Sequence, residues 1–308
     1  MLALSLQSCA NLAYYAADHA RLWAGPTEHA EEDSRMYRLA INELTTYRWS
    51  FEEDVEHYAA GGFGAIGIWR HKLSDYGDER GADLLRQHSL AVSSLSWAGG
   101  FTGSDGHSHK ESIEDALDAV RLAAMLGAST LIVHTGARAG HTHSHARRLV
   151  KLALVEVAKL AEDFGVAIGV EPMHPACCTD WTYLTSLTDA RELLGEVSSP
   201  ALKLVLDTYH VCQDTAPAFE DASLISQLAL VQLGDSRVPP AGEQNRCRLG
   251  EGTLPLSETI GQLLRGGYRG FWEVELLGED VETTDYGELL AQTKQAMHDW
   301  LEPGRKIA

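Results

Sequence analysis

The chain is poor in basic residues, in paired cysteines and in long apolar runs, and each shortage excludes a class of protein. Its 308 residues include 25 Lys and Arg against 44 Asp and Glu, which gives a net charge of −19. Such a surface repels a phosphate backbone, so we expect no nucleic-acid partner. The five cysteines form no CxxC pair, which favours reduced thiols in a cytoplasmic protein. No run approaches the roughly 18 apolar residues of a membrane span, so we expect no membrane partner.

The first 35 residues differ from the rest of the chain. They begin with an apolar stretch that lacks a basic segment and a clear cleavage site, so a signal peptide is not expected. A regular alternation of segments begins only at Met36. The sequence leaves three interpretations of residues 1–35 open: an extra helix, an arm at an interface, or a segment upstream of a true start at Met36.

Short apolar segments alternate with amphipathic helical segments from Met36 onward. The predicted strands are 38–44, 64–69, 90–97, 130–136, 166–171, 202–207, 228–235 and 270–275. Eight strand–helix repeats predict a parallel closed barrel, and a single (β/α)8 barrel needs roughly 250–300 residues. We therefore predict an α/β protein with one TIM barrel over 36–308 and a short N-terminal extension over 1–35. An open doubly wound sheet is the alternative, but no GxGxxG directly follows the first strand.

Capping patterns mark several predicted helices. Ser50 with Glu53, and Ser112 with Asp115, have the spacing of an N-terminal capping box. Gly127 and a glycine at position 165 follow helical segments, as expected of C-terminal caps.

Four predicted strands end in polar side chains that an apolar strand does not need: Glu171, Asp207, Gln232 and Glu275. They follow the fifth to the eighth strand, and the carboxyl ends of barrel strands meet at one mouth. Three carboxylates there would raise each other's pKa, and a divalent cation would offset their charge. Oxygen ligands favour Mn²⁺ or Mg²⁺, with Co²⁺ and Zn²⁺ as alternatives. The competing interpretation of each residue alone is a helix cap or an ion-pair partner of a nearby Arg.

The segments GVEPMHP, LVLDTYHV, VQLGDSR, RLGEG and GYRGFWEVEL, in this order, resemble the sugar phosphate isomerase/epimerase family. Its members are xylose-isomerase-like TIM barrels, and the resemblance runs from Met36 to the C-terminus. It implies one divalent metal ion, bound by Glu171, Asp207, Gln232 and Glu275. Gln232 departs from the histidine that is frequent at its position. Glu273 is a rival for the last ligand, but the family spacing counted from Gly270 selects Glu275.

The resemblance also implies substrate contacts by His210 and Arg237. A bond from His210 to a loop carbonyl and an ion pair between Arg237 and Asp235 are the structural alternatives. Positions near the strand ends add four further predicted substrate-binding residues: His134, Trp69, His174 and Lys72.

The function implied by the resemblance is metal-dependent isomerisation or epimerisation of a sugar or related keto-polyol. In the epimerases, residues matching Glu171 and Glu275 also act as the acid/base pair, through a metal-stabilised enediolate. One enzymatic alternative is a dehydratase of a cyclic keto-polyol such as inosose or 3-dehydroshikimate, which Gln232 favours slightly. Another is an endonuclease IV-like repair enzyme, which the net charge disfavours. A non-catalytic sugar-binding or partner-dependent subunit is the alternative from another class. Family members often form dimers or tetramers, so the resemblance implies a homo-oligomer.

Overall fold

The computed structural model describes residues 38–212 and 219–301, and these form a closed barrel of eight parallel strands. Each strand pairs with its neighbours in chain order, and β1 pairs with β8 to close the barrel. The strands are β1 (Leu39–Asn42), β2 (Ala65–Trp69), β3 (Ala91–Gly99), β4 (Thr130–His134), β5 (Ala167–Val170), β6 (Leu202–Asp207), β7 (Leu228–Leu233) and β8 (Phe271–Val274). All eight predicted strands and the predicted TIM barrel are thereby confirmed.

Helices cover the outside of the barrel between the strands. Those described are α1 (Phe51–Ala60), α2 (Arg70–Tyr76), α3 (Asp78–Gln87), α4 (His109–Leu126), α5 (His143–Phe164), α6 (Leu187–Val197), α7 (Thr208–Val211), α8 (Ala222–Ile225), α9 (Leu256–Arg265), α10 (Glu279–Glu282) and α11 (Tyr286–Leu301). None of the described helices is long and apolar enough to cross a membrane. The predictions for residues 1–35 lie outside the described residues.

The barrel interior changes from apolar to polar along the strands. At one level it holds a small apolar cluster that includes Ala40, Ile132 and Phe271. Further along β8 the carboxylate of Glu273 is fully buried inside the barrel. It fits because β2 carries Gly67 beside it, and a Cβ atom there would lie 2.6 Å from the Glu273 carboxylate. A polar layer thus separates the apolar interior from the barrel mouth.

The cap predicted from Ser112 and Asp115 is wrong. Helix α4 begins one turn earlier, and Ser108 and Glu111 form its capping box, with mutual side-chain to backbone bonds. Ser112 lies inside the helix, where its hydroxyl donates to the carbonyl of Gly100. The other predicted caps are confirmed, including the capping box at Ser50 and the left-handed glycines that end α4 and α5.

Replacement of Ser108 by alanine is expected to lower the free energy of unfolding by about 1 kcal/mol, because the Glu111 amide loses its side-chain acceptor. Urea denaturation at neutral pH measures the change. Ser144→Ala is the control, since Ser144 is exposed in the first turn of α5 and does not cap that helix. Equal stability of Ser108→Ala and Ser144→Ala would contradict the capping role.

Candidate active site

A cavity of about 700 Å³ opens at the carboxyl ends of the strands. Its polar lining comes from β4, β7, α7 and the loops that follow β5, β7 and β8. The titratable or amide side chains around it include His134, Glu171, His210, Gln232, Glu243, Arg246 and Glu275. Three of the four predicted metal ligands therefore border one cavity, and the fourth, Asp207, lies directly beneath it in contact with Arg246.

Strand register explains why these side chains meet. Asp207 at the end of β6 is paired with Gln232 on β7, and Gln232 is in turn paired with Glu273 on β8. Glu275 follows Glu273 by two residues, so it lies on the same side of the strand but nearer to the barrel mouth. Glu275 borders the cavity, whereas Glu273 lies below it.

Glu273 is held by four hydrogen bonds inside the barrel. Its carboxylate accepts from Asn42, Ser93, Ser94 and Gln232 at 2.6–3.1 Å. These donors account for its burial without any ligand. Glu273, the alternative to Glu275 as the last metal ligand, is therefore part of the barrel's polar layer.

Glu171 is buried beside two histidines. Its Oε2 lies 2.8 Å from Nε2 of His134, and its Oε1 lies 3.7 Å from Nε2 of His210. Burial by itself raises the pKa of Glu171, but the hydrogen bond from His134 and the charges of His134, His210 and Arg246 outweigh it and lower the pKa below its usual value. Glu171 is thus an ionised carboxylate at the cavity wall.

Glu275 has the opposite electrostatic environment. Burial and the neighbouring carboxylates of Asp207, Glu171 and Glu273 raise its pKa well above the usual value, in spite of the nearby Arg246. Its Oε2 accepts a 2.5 Å hydrogen bond from the amide nitrogen of Gln232. In the protein without a metal ion, Glu275 holds a proton more readily than Glu171.

Arg246 is the main cation of the site, and it is 2% exposed. Its guanidinium donates to Asp207 at 2.7 Å and to Glu243 at 3.0 Å, and it lies 3.5 Å from Glu275. It also stacks over the ring of Tyr209, 4.5 Å from the centroid. Although burial opposes its charge, the three carboxylates raise its pKa well above the usual value. Burial raises the pKa of Asp207 to about 6 even with this partner, and Glu171 adds to the rise.

Comparison with known proteins agrees with the barrel fold. A family model described as a xylose isomerase-like TIM barrel matches residues 55–302. The chain belongs to this family. The sequence resemblance that pointed to it is thereby confirmed.

Individual proteins resemble the chain to different extents. The D-psicose 3-epimerase of Enterocloster bolteae is 32% identical over 119 residues, which cover 38% of this chain and 36% of that protein. The match thus spans about a third of the length of that curated relative. Protein SMc04130 from Sinorhizobium meliloti 1021 has a TM-score of 0.77 at 25% identity and covers 85% of this chain and 98% of its own. The IOLI protein with a bound zinc atom has a TM-score of 0.75 at 20% identity. That match covers 88% of this chain and 100% of the IOLI chain.

The donor set of this xylose isomerase-like barrel fits a divalent cation. The Oε1 atom of Gln232 is buried and has no hydrogen-bond partner among the described residues. Ligand atoms of Glu171, Asp207 and His210 lie within 4.8 Å of one another. Oxygen ligands suit Mn²⁺ or Mg²⁺, and an imidazole beside them also admits Co²⁺ or Zn²⁺. Two of the predicted ligands, Glu171 and Asp207, thus lie close together, and His210, which was predicted only as a substrate contact, lies beside them.

Aromatic side chains form one wall of the cavity. The rings of Trp97 and Trp181 meet edge to face, with centroids 5.0 Å apart, and both lie 5.7 Å from the His134 ring. Such a wall gives the cavity an apolar surface next to the carboxylate of Glu171, which His134 contacts. Neither tryptophan was among the predicted site residues.

Lys72 does not reach the cavity, so its predicted role in substrate binding needs correction. Its ammonium group donates to Asp54 at 2.5 Å and to the backbone carbonyls of Glu43 and Thr46. Lys72 and Asp54 are both buried, so their charges stabilise each other between α1 and α2. Lys72, in the first turn of α2, thus serves the packing of the first two helices.

Arg237 also lies away from the cavity, on an exposed rim. It pairs with Glu251 at 2.6 Å and with Asp280, rather than with Asp235. Asp235 is buried and accepts hydrogen bonds from loop amides, including those of Gly250 and Gly252. The structure gives Arg237 no contact with the cavity wall.

Two further predicted substrate-binding residues lie outside the cavity lining. Trp69 packs against His71, with ring centroids 5.2 Å apart. His174 accepts a hydrogen bond from the amide of Ala176 within its own loop. Of the six predicted substrate-binding residues, His134 and His210 border the cavity.

Arg246 and Glu243 are the charged site residues that the sequence interpretation missed. Both lie in the loop after β7, where no periodicity predicts the direction of a side chain. The only available signal was a local one: an arginine three residues after a glutamate in a loop between two predicted site strands.

Proposed function

We propose that the protein is a divalent-metal-dependent epimerase or isomerase of a small ketose or keto-polyol. Glu171 and Glu275 exchange a proton with a carbon next to the substrate carbonyl. The observation that carries the proposal is that these two carboxylates border one cavity, with Glu171 held by His134 and Glu275 by Gln232; without a metal ion their surroundings also shift their pKa values in opposite directions. Paired titratable groups with opposed shifts mark an acid and a base.

The reaction follows from this asymmetry. Ionised Glu171 removes a proton from the carbon, and Glu275 returns a proton to the same carbon from the other face, which inverts it. Delivery of the proton to the adjacent carbon instead gives aldose–ketose isomerisation. His134 holds Glu171 by its 2.8 Å hydrogen bond, and the Gln232 amide holds Glu275.

Glu171, Asp207, Gln232 and Glu275 are the proposed metal ligands. A bound divalent cation would polarise the substrate carbonyl and acidify the neighbouring C–H bond. The zinc atom of the IOLI protein supports a metal in this fold, and Mn²⁺ or Mg²⁺ suits the oxygen ligands of this chain best. His134 and His210 border the cavity beside this set, and His134 is placed to contact the substrate.

The cavity favours a neutral substrate. Among the described residues that border it, Arg246 is the only Lys or Arg, and its guanidinium already pairs with three carboxylates. A phosphate group would therefore meet mainly acidic side chains. A non-phosphorylated ketose agrees with the name of the D-psicose 3-epimerase relative.

The test is incubation of the Mn²⁺-loaded protein with a panel of ketoses in D₂O. We expect an epimer or isomer to form with deuterium at the carbon that exchanged its proton, detected by NMR. Removal of the metal by a chelator is expected to abolish turnover, and added Mn²⁺ to restore it, because the carbonyl is no longer polarised without the ion. Lack of exchange across the panel by Mn²⁺-bound protein would contradict the proposal.

Dehydration is the second candidate, because Gln232 supplies a neutral amide where a histidine is frequent. The same panel, extended to cyclic keto-polyols, separates the two reactions. A product lighter by one water, with an enone absorbance in the ultraviolet, would identify a dehydratase.

A further inference from the structure

A second cluster of metal-ligating atoms lies beside the proposed oxygen-rich site. The thiol of Cys177, a ring nitrogen of His210 and a carboxylate oxygen of Glu243 lie within 4.8 Å of one another. The three residues come from separate segments: the loop after β5, helix α7 and the loop after β7. The cluster therefore forms only in the folded barrel, where these segments meet over the mouth.

His210 indicates that this cluster has a missing partner. Its side chain is fully buried, and neither ring nitrogen has a hydrogen-bond partner among the described residues. A buried polar group without a partner costs roughly 1–3 kcal/mol, so such groups are rare unless a ligand or water completes them. The Oε1 atom of Glu243 is likewise buried and has no close hydrogen-bond partner among the described residues, and the Cys177 thiol is its neighbour.

The spacing of His210 and Glu243 is that of two ligands around one ion. His210 Nε2 lies 3.6 Å from Glu243 Oε1, which is too long for a good hydrogen bond. Two ligands bound at about 2.0–2.3 Å around a tetrahedral zinc ion stand roughly 3.3–3.8 Å apart. The histidine and the carboxylate are therefore placed to bind the same cation.

We propose that Cys177, His210 and Glu243 bind a second divalent cation of borderline softness, of the Zn²⁺ or Co²⁺ type. The sulfur ligand distinguishes this position from the all-oxygen set, because a thiolate selects softer ions than carboxylates do. Binding releases the thiol proton to solvent. Three protein ligands leave one coordination position open toward the cavity, as in catalytic zinc sites.

The local charge permits a second cation. Four carboxylates surround His210 and Arg246, namely Glu171, Asp207, Glu243 and Glu275, and the guanidinium of Arg246 is the one fixed cation among them. With all four carboxylates ionised, a single divalent ion leaves this group negative. The second cation would also join the loops after β5 and β7 across the cavity mouth.

Cobalt spectroscopy tests the sulfur ligand directly. Titration of the metal-free full chain with Co²⁺ is expected to reach about two ions per chain. One of them is expected to produce a thiolate-to-cobalt charge-transfer band in the near ultraviolet. Cys177→Ser removes the band and reduces the stoichiometry to about one.

Cys178→Ser is the matched control. Cys178 is adjacent in sequence and half-buried, and its thiol donates to the carbonyl of Pro175 instead of joining the cluster. This variant is expected to keep the band and both ions. Circular dichroism of each variant confirms that the barrel is folded, and Cys177→Ala repeats the test without a hydroxyl at that position.

Two results would overturn the second site: absence of the charge-transfer band in folded wild-type protein, or its persistence in both Cys177 variants. Binding at Glu171, Asp207 and His210 alone would give cobalt without a sulfur band, which also rejects the proposal. None of these readouts needs turnover, so they are independent of the proposed reaction. Binding of Mn²⁺ to Cys177→Ser, measured by elemental analysis, reports the oxygen-rich site separately.

Discussion

Glu171→Gln and Glu275→Gln are each expected to lower kcat by about 100- to 10,000-fold. This is the range typical of a lost general acid or base. The substrate is the ketose that the panel identifies. A glutamine side chain keeps the shape of glutamate but cannot accept or deliver the proton. Glu171→Gln removes the carboxylate beside His134, whose pKa is lowered, and Glu275→Gln removes the carboxyl group whose pKa is raised. Steady-state kinetics with saturating Mn²⁺ measures both effects.

Metal content separates the chemical effect from loss of the ion. Each variant is analysed for bound Mn²⁺, and a variant that keeps about one ion per chain but loses turnover reports the proton transfer itself. Deuterium exchange shows which carboxylate removes the proton from which epimer. Loss of one base stops exchange from one substrate epimer more than from the other. Glu56→Gln, an exposed change on α1, serves as the general control.

Glu273→Gln is the decisive comparison, because it lies two residues from Glu275 on the same strand. It is expected to reduce stability more than turnover, since its carboxylate accepts bonds from Asn42, Ser93 and Ser94 below the cavity. If Glu273→Gln lost as much activity as Glu275→Gln at equal stability, the general acid would have to be Glu273, which lies below the cavity, instead of Glu275. Full turnover by Glu275→Gln would remove that residue from the chemistry.

Replacement of Arg246 by methionine is expected to lower the free energy of unfolding by about 3–5 kcal/mol in metal-free protein, as when one partner of a buried ion pair is removed. Methionine fills much of the space of the arginine stem but leaves Asp207, Glu243 and Glu275 without their shared cation. Urea denaturation in the presence of a chelator, followed by circular dichroism, measures the change.

Arg237→Met is the matched control for this experiment. Arg237 also pairs with two carboxylates, but its side chain is 50% exposed, and exposed pairs contribute about 0–1 kcal/mol. A clear difference between the two variants shows that burial, and not the number of ion pairs, sets the cost. Equal losses of stability would contradict the central electrostatic role of Arg246.

The barrel could be predicted from the sequence because its strands are short, apolar and separated by capped helices. Strands of a parallel barrel are covered on both faces, so their near-continuous apolar runs are visible without any partner. The positions of Glu171, Asp207, Gln232 and Glu275 at strand ends followed from the same pattern. The capping box of α4 was misplaced by one turn, because Ser108 and Ser112 both precede an acidic residue by three positions.

The surroundings of these residues were decided by the tertiary structure alone. The loop after β7 brings Arg246 to the carboxylates and the loop after β5 brings Cys177 to His210, yet neither loop has a period that predicts side-chain direction. The same lack of information led Lys72 and Arg237 to be taken for substrate contacts, since their carboxylate partners lie 18 and 14 or more residues away along the chain. The sequence by itself therefore determined the barrel and the strand-end residues, because local hydrophobic pattern sets both. Only the folded chain decided which charges meet, because Coulomb interactions depend on distances between segments that the sequence leaves unspecified.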